Sequence, residues 1–330
     1  MQTQKIVVLG TGGTIAGTLC SPGDTRYVAA QKTVAALLAD LPVPTELTLL
    51  SEQVAQVDSK DMVPSVWQVL LQRCHHWLAQ ADVHGLVITH GTDTLEETAY
   101  LLQTVLAPAK PVVMTCAMRA ADAADADGPR NLRDALTVAA QQHTHGVVVV
   151  CAGRVMAAQD VQKVHPTRLD AFDSGAAGDL GHIHQGRVVW ERKWPIDPVV
   201  YDDNAIKNIV TEKNWPRVEI VFSHAGASGA TVDALADPDV AVRYGAAPVR
   251  GLVLVATGNG TVHQALDAAL QRAVDQGVWV LRTTRCAHGG MEASPHAVWR
   301  DAPDLSPVKA RVALMLALLT RTGVMQRGVN

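Results

Sequence analysis

The chain is poor in the features that mark whole classes of protein. Aromatic residues make up only 4% of its 330 positions and its basic residues are scattered, so it offers neither a stacking platform nor a basic face for nucleic acid. No apolar run reaches the ~20 residues that cross a bilayer, so no membrane segment is expected. The five cysteines, at positions 20, 74, 116, 151 and 286, are odd in number, widely spaced and without a Cys-x-x-Cys pair. That pattern argues against a disulfide framework and against a zinc site. They read as buried free thiols in a reducing compartment. The opening residues Met1-Gln2-Thr3-Gln4-Lys5 lack a basic region followed by an apolar one, so no secretory leader is read there. Together with the thiols this gives a cytoplasmic expectation.

What is present is enough apolar material for a substantial core. Hydrophobic residues are 48% of the chain, charged residues 18%, and the formal net charge is −4. Its length suggests two domains. Ile6–Leu9, Leu86–Ile88, Pro111–Met114 and Gly146–Cys151 are apolar and mostly β-branched, as strands covered on both faces should be. Amphipathic stretches such as Ser65–Gln80, Leu95–Leu106 and Asn131–Gln142 lie between them. Asp93 or Thr94 is placed to cap the second of these, with Glu96 and Glu97 favourable in its first turn.

This alternation predicts an α/β fold with a doubly wound sheet in a larger N-terminal domain, residues 1–191. The rhythm breaks over 192–216, between Lys193-Trp194-Pro195 and Asn214-Trp215-Pro216, which reads as a linker. It resumes over 217–330 with Val218–Phe222, Gly251–Ala256, Val262–Gln276, Val278–Arg282 and a helix from Val308 to about Leu319. A smaller parallel-sheet α/β domain follows from that.

Two stretches stand out against this frame. Gly10-Thr11-Gly12-Gly13-Thr14-Ile15-Ala16-Gly17 and Thr89-His90-Gly91-Thr92-Asp93-Thr94 each follow a buried strand and put hydroxyls and glycines where a loop begins. In open α/β sheets ligands bind at the carboxyl ends of strands. The first stretch fails the dinucleotide spacing Gly-x-Gly-x-x-Gly, because Ile15 stands where the third glycine belongs, and no Walker lysine follows. Its glycines instead let backbone pass close to a small ligand, with Thr14 aimed at the pocket. In the second stretch Thr92 offers a hydroxyl beside the Asp93 carboxylate. A threonine is a weak nucleophile until a base or a pKa-lowered neighbour activates it. Lys163, just beyond the strand Gly146–Cys151, is the candidate base, since a desolvated lysine shifts toward neutrality. Taken singly, Lys163 and Asp160 read as surface charges, and His90 reads as structural.

In combination these motifs resemble the bacterial-type L-asparaginases, of the asparaginase/glutaminase family with threonine nucleophiles. Further matching stretches follow in order: Asp58-Ser59-Lys60-Asp61-Met62, Ile88 to Tyr100, Pro111-Val112-Val113-Met114, Ala117-Met118-Arg119, Asp127-Gly128-Pro129-Arg130-Asn131-Leu132 and Leu305-Ser306-Pro307-Val308-Lys309-Ala310-Arg311-Val312. The resemblance covers nearly the whole chain. It implies an enzyme without cofactor or metal that hydrolyses L-asparagine to L-aspartate and ammonia by double displacement through a threonine acyl-enzyme.

Thr14 would be the nucleophile, preferred over Thr92, and Tyr27 its loop partner, with Asp24, Thr25 and Arg26 as part of a lid. Thr92, Asp93 and Lys163 would form a second cluster that positions water and moves protons. Ser59 and Lys60, with Thr92 and Asp93, would hold the substrate, Asp93 and Ser59 meeting its α-ammonium and α-carboxylate. The resemblance further implies a homotetramer built as a dimer of dimers, its C-terminal domain completing the site and the oligomer interface.

Three positions depart from the family pattern. Lys60 stands where many periplasmic members have glutamine, Thr261 ends a Gly258-Asn259-Gly260-Thr261 loop whose last residue is usually asparagine, and Glu292 is the stand-in for a glutamate that reaches a neighbouring subunit. A glutaminase-asparaginase, or an amidase of another small amino-acid amide, is the related alternative. A non-catalytic amino-acid-binding regulatory protein is the alternative of a different class.

Overall fold

In the computed structural model, residues 4–21, 24, 26–39, 41–42, 47–142, 144–194, 201–292 and 298–320 are described. Contacts divide the chain into two units, Met1–Ile206 and Lys207–Asn330. The first is built on an eight-stranded sheet of Gln4–Gly12 (β1), Leu47–Val57 (β2), Val83–Thr89 (β3), Val112–Thr115 (β4), Val147–Cys151 (β5), Arg154–Ala157 (β6), Gly181–His184 (β7) and Arg187–Trp190 (β8). Its spatial order is β8-β7-β6-β5-β4-β3-β1-β2. β2, β1, β3, β4 and β5 run parallel, whereas β5 to β8 form an antiparallel meander. The sheet is therefore mixed, and the expected doubly wound part is its parallel half.

Helices Pro64–Leu78 (α1), Leu95–Leu106 (α2) and Gly128–Ala139 (α3) connect the parallel strands. Ile6, Val8, Val87, Val113 and Val148 pack with Leu132, Ala135 and Leu136 of α3. The alternate residues Val7, Leu9, Leu86 and Ile88 are equally buried, so both faces of the sheet are covered. This is why these strands read as unbroken apolar runs. In the parallel order 2-1-3-4-5 the chain leaves β1 for β2 and returns across it to β3. Such a reversal opens a crevice at the carboxyl ends of β1 and β3.

The second unit has four parallel strands side by side in chain order: Arg217–Phe222 (β9), Val249–Ala256 (β10), Trp279–Thr284 (β11) and Arg300–Asp301 (β12). Gln264–Asp275 (α4) supplies Leu266, Ala269, Leu270 and Ala273 to its core. A helix over Pro307–Thr320 matches the one read from Val308. Within the stretch read as a linker, Asp203–Thr211 form a helix; its few apolar residues, Ile206, Ile209 and Val210, are too short a set to announce a period. Residues 195–200 of that stretch lie outside the described residues.

All five cysteines are free, but Cys20 and Cys286 are exposed and only Cys74, Cys116 and Cys151 are buried. The buried reading thus holds for Cys74 on α1, Cys151 on β5 and Cys116 just after β4, and not for Cys20 and Cys286. No helix among the described residues is long and apolar enough to cross a membrane.

Candidate active site

The crevice brings three backbone segments into direct contact. Gly13, at φ +80°, follows β1, and a Cβ there would lie 2.3 Å from Cα and N of Gly91, which follows β3. A Cβ on Gly91 would in turn lie 2.4 Å from Ser59 Oγ, on the turn after β2. Side chains at either position would push the segments apart. Glycine is required here by the approach of one loop to another, where the sequence suggested approach to a ligand. Gly13 is further held by its N–H donating to Val57 O at 2.9 Å and its carbonyl accepting from Ala30 N at 3.0 Å.

One hydroxyl cluster follows β1. Thr14 opens a single 3-10 turn, is 6% exposed, and has its Oγ1 3.0 Å from Tyr27 Oη, so that either hydroxyl can donate. Tyr27 belongs to a small antiparallel ribbon of Thr18–Leu19 and Tyr27–Val28 and is 43% exposed. The ribbon is tied down by Leu19 N–H donating to Asp122 Oδ1 at 2.9 Å and closed by Cys20 N–H donating to Arg26 O at 3.0 Å. Asp24 accepts from Arg26 N–H within the same segment, and Thr25 lies outside the described residues.

The other cluster follows β3. Lys163 Nζ donates to Thr92 Oγ1 at 2.8 Å and to Asp93 Oδ1 at 2.6 Å. An ammonium has no acceptor, so Thr92 receives that bond and directs its own hydroxyl proton to Asp93 Oδ1 at 3.5 Å. Lys163 is held by a two-residue ribbon in which it pairs with Phe172, a residue only 2% exposed. Ser59 Oγ accepts from Asp93 N–H at 3.1 Å, and Thr94 Oγ1 donates to Ser59 O at 2.8 Å. Thr94 sits at the N-cap of α2, yet its hydroxyl makes no capping bond because Ser59 takes it. The N–H of Thr92 has no hydrogen-bond partner among the described residues.

His90 is fully buried beside this cluster. Its Nδ1 lies 2.7 Å from Gly91 O and its Nε2 3.0 Å from Thr98 Oγ1, which also accepts from Trp67 Nε1 at 2.9 Å. Burial lowers its pKa to about 4, against a smaller raising contribution from the Gly91 carbonyl. The imidazole is therefore neutral near pH 7. Trp67 and Thr98 were not singled out from the sequence, and Thr94 was read there only as a helix cap. No local spacing links a helix tryptophan to a threonine on the next helix.

Lys60 lies at the rim, its side chain 59% exposed and its ammonium turned onto Asp61 and, at 3.7 Å, Asp58. Asp160 pairs with Arg192. In the second unit, Asn259 Oδ1 accepts from Glu292 N–H at 2.8 Å, and the Thr257 and Thr261 hydroxyls are 2.8 Å apart. The Arg282–Asp301 pair steadies that loop through Arg282 Nη1 donating to Gly260 O at 2.8 Å. Among the described residues no group of three or more His, Cys, Asp or Glu side chains is disposed to hold a metal ion.

Known proteins match this chain over nearly its whole length. Residues 5–196 match the model of the asparaginase N-terminal domain, and residues 217–326 that of the glutaminase/asparaginase C-terminal domain. The chain is 34% identical to a probable periplasmic L-asparaginase of Haemophilus influenzae, over 95% of this chain and 88% of that one. It is also 34% identical to a glutaminase-asparaginase of Pseudomonas fluorescens, over 95% and 86%. The crystal structure of a probable cytoplasmic L-asparaginase from Campylobacter jejuni superposes with a TM-score of 0.86 at 32% identity, covering 98% of this chain and 97% of that one.

Proposed function

This chain belongs to the asparaginase family of amidohydrolases, and we propose that within it the protein is an L-asparagine amidohydrolase working through a threonine acyl-enzyme. The observation that carries this reading is the pair of hydroxyl clusters, Thr14 with Tyr27 and Thr92 with Lys163 and Asp93, set on loops that touch through Gly13 and Gly91.

In the first half-reaction Thr14 Oγ attacks the carbon of the side-chain amide and its proton passes toward Tyr27 Oη, the group already hydrogen-bonded to it. Negative charge gathers on the amide oxygen, where the unengaged Thr92 N–H is the available donor; such preorganised donors are worth about 3–4 kcal/mol in the transition state. Tyr27 hands its own proton on to the amide nitrogen as it takes up that of Thr14, the C–N bond breaks, ammonia leaves, and a β-aspartyl ester remains on Thr14. In the second half a water attacks that ester. Thr92 Oγ1, held by the Lys163 ammonium, positions it, and as the ester C–O bond breaks the water's proton is relayed through the Thr92 hydroxyl to Thr14 Oγ, releasing aspartate.

Substrate binding follows from the lone pairs and protons left over. Ser59 Oγ is occupied as an acceptor by Asp93 N–H, so its own proton is free for the α-carboxylate. Asp93 Oδ1 is engaged by Lys163, which leaves Oδ2 to accept from the α-ammonium. Lys60 adds positive charge from the rim, partly neutralised by Asp58 and Asp61.

A glutaminase-asparaginase is the second reading, favoured by the equal identity to the Pseudomonas enzyme. We place residues 1–191 as the catalytic domain, 192–216 as the connection, and 217–330 as the domain that completes the site and the interfaces of a homotetramer. A cytoplasmic location suits the exposed, unpaired Cys20 and Cys286.

The test is ammonia release from L-asparagine and L-glutamine by the purified protein, with Thr14→Ala as control. Faster release from asparagine, abolished in the variant, is expected. Comparable rates on both amides would favour the second reading, and silence on both would overturn either.

A further inference from the structure

We propose that Trp67, Thr98 and His90 are positioning residues for this hydrolysis: a buried, one-way hydrogen-bond chain that sets the orientation of the Gly91–Thr92 peptide. The proposal rests on the amidohydrolase reading.

The direction of the chain follows from what each group can do. An indole N–H only donates and a carbonyl only accepts. Trp67 Nε1 therefore donates to Thr98 Oγ1 at 2.9 Å, and at the far end Gly91 O accepts from His90 Nδ1 at 2.7 Å. A neutral imidazole with its proton on Nδ1 has a bare Nε2, which accepts the Thr98 hydroxyl proton at 3.0 Å. Each link has one allowed direction, so a single tautomer and a single hydroxyl rotamer satisfy all three bonds. Trp67 is 4% exposed and Thr98 and His90 0%, so no water competes. His90 N–H also donates to Thr115 O at 2.9 Å, pinning the residue to β4.

The consequence falls on the next peptide. In a planar trans peptide the C=O and the following N–H point in opposite directions. With Gly91 O fixed on the imidazole, Thr92 N–H must point away from the buried chain. That N–H has no hydrogen-bond partner among the described residues. The same peptide is closed in by Ser59 against the Gly91 Cα and by Gly13 against its backbone. Turning it would break the imidazole bond, and the bond is in turn held from behind by two helices, α1 through Trp67 and α2 through Thr98. None of the three side chains touches the substrate in this account. They act through Thr92.

The deciding experiment compares Thr98→Val, which removes the hydroxyl while keeping the side-chain shape, with Thr98→Ser, which restores it. For each, kcat and KM on L-asparagine are measured per folded molecule beside the wild type, with Tm recorded. A small misplacement of a reacting group costs up to about a hundredfold in rate. The expected result is accordingly a kcat loss of about ten- to a hundredfold in Thr98→Val, with KM within about twofold and most of the loss recovered in Thr98→Ser. If Thr98→Val does not fold, Trp67→Phe decides; it removes the first donor and keeps a ring, and a severalfold kcat loss at constant KM is expected. Unchanged kcat with a lowered Tm would overturn the proposal while leaving the amidohydrolase intact. A wild type silent on every amide would overturn both.

Discussion

The two threonine clusters are built to opposite standards. Thr14 meets its partner through Tyr27, a 43% exposed residue on a ribbon of two short strands. Thr92 stands on the rim of a buried network in which Ser59, Thr94, His90, Thr98 and Trp67 leave little freedom. The difference suits the two jobs proposed for them. A nucleophile under a lid must admit an amino acid and release an acid, and mobile segments gate such steps. A cluster that stabilises charge gains from being fixed before the reaction begins.

Substitution sharpens this comparison most strongly at the hydroxyls. Thr14→Ala is expected to lower kcat by more than about a hundredfold and to leave no covalent adduct in intact-mass spectra taken during turnover. Thr92→Ala and Lys163→Met are expected to lose about as much activity while accumulating the acyl-enzyme, because the second half-reaction is slowed. An adduct in Thr14→Ala, or its absence from both other variants, would exchange the roles of the clusters.

A smaller effect separates the clusters by pH. His90 has a pKa of about 4 in the folded protein against an ordinary 6.5. Between those values the unfolded chain binds a proton that the folded chain does not, so the stability present at pH 7 declines as pH falls from 6.5 toward 4, by up to ~3 kcal/mol. Urea unfolding of wild type and His90→Gln at pH 7 and pH 4.5 should show a flatter dependence in the variant; parallel slopes would remove His90 as the source. The smallest change is expected at Lys60. With its ammonium shared between Asp58 and Asp61, Lys60→Gln should raise KM by about threefold or less and leave Tm unaltered, as exposed pairs contribute ~0–1 kcal/mol. A tenfold change in KM would move Lys60 from the rim into the pocket.

The same contrast governs what could be read from the sequence. β1, β3, β4 and β5 were legible because both of their faces are covered and they are apolar without interruption. β2 was not: it is an edge strand in which exposed Thr48, Ser51 and Gln53 break the run. The meander escaped for a similar reason, since Gly181-His182-Ile183-His184 and Arg187-Val188-Val189-Trp190 are short and largely uncovered. Tyr27 entered through family resemblance alone, because nothing in its surroundings singles out an exposed tyrosine. Lys163 was flagged, but its distances to Thr92 and Asp93 depend on a ribbon closed by Phe172. His90 read as structural because its meaning depends on Trp67 and Thr98, whose contact with it comes from helix packing.

The contact of Gly13 with Gly91 bears on how the site responds to temperature. Glycine has no χ angles, so the loops that present Thr14 and Thr92 are separated by a spacer with no rotamers to exchange. The ribbon over Thr14 is held by hydrogen bonds, which warming weakens. The gauge of the jaws behind it is set by peptide planes and bond lengths, which hardly respond to heat.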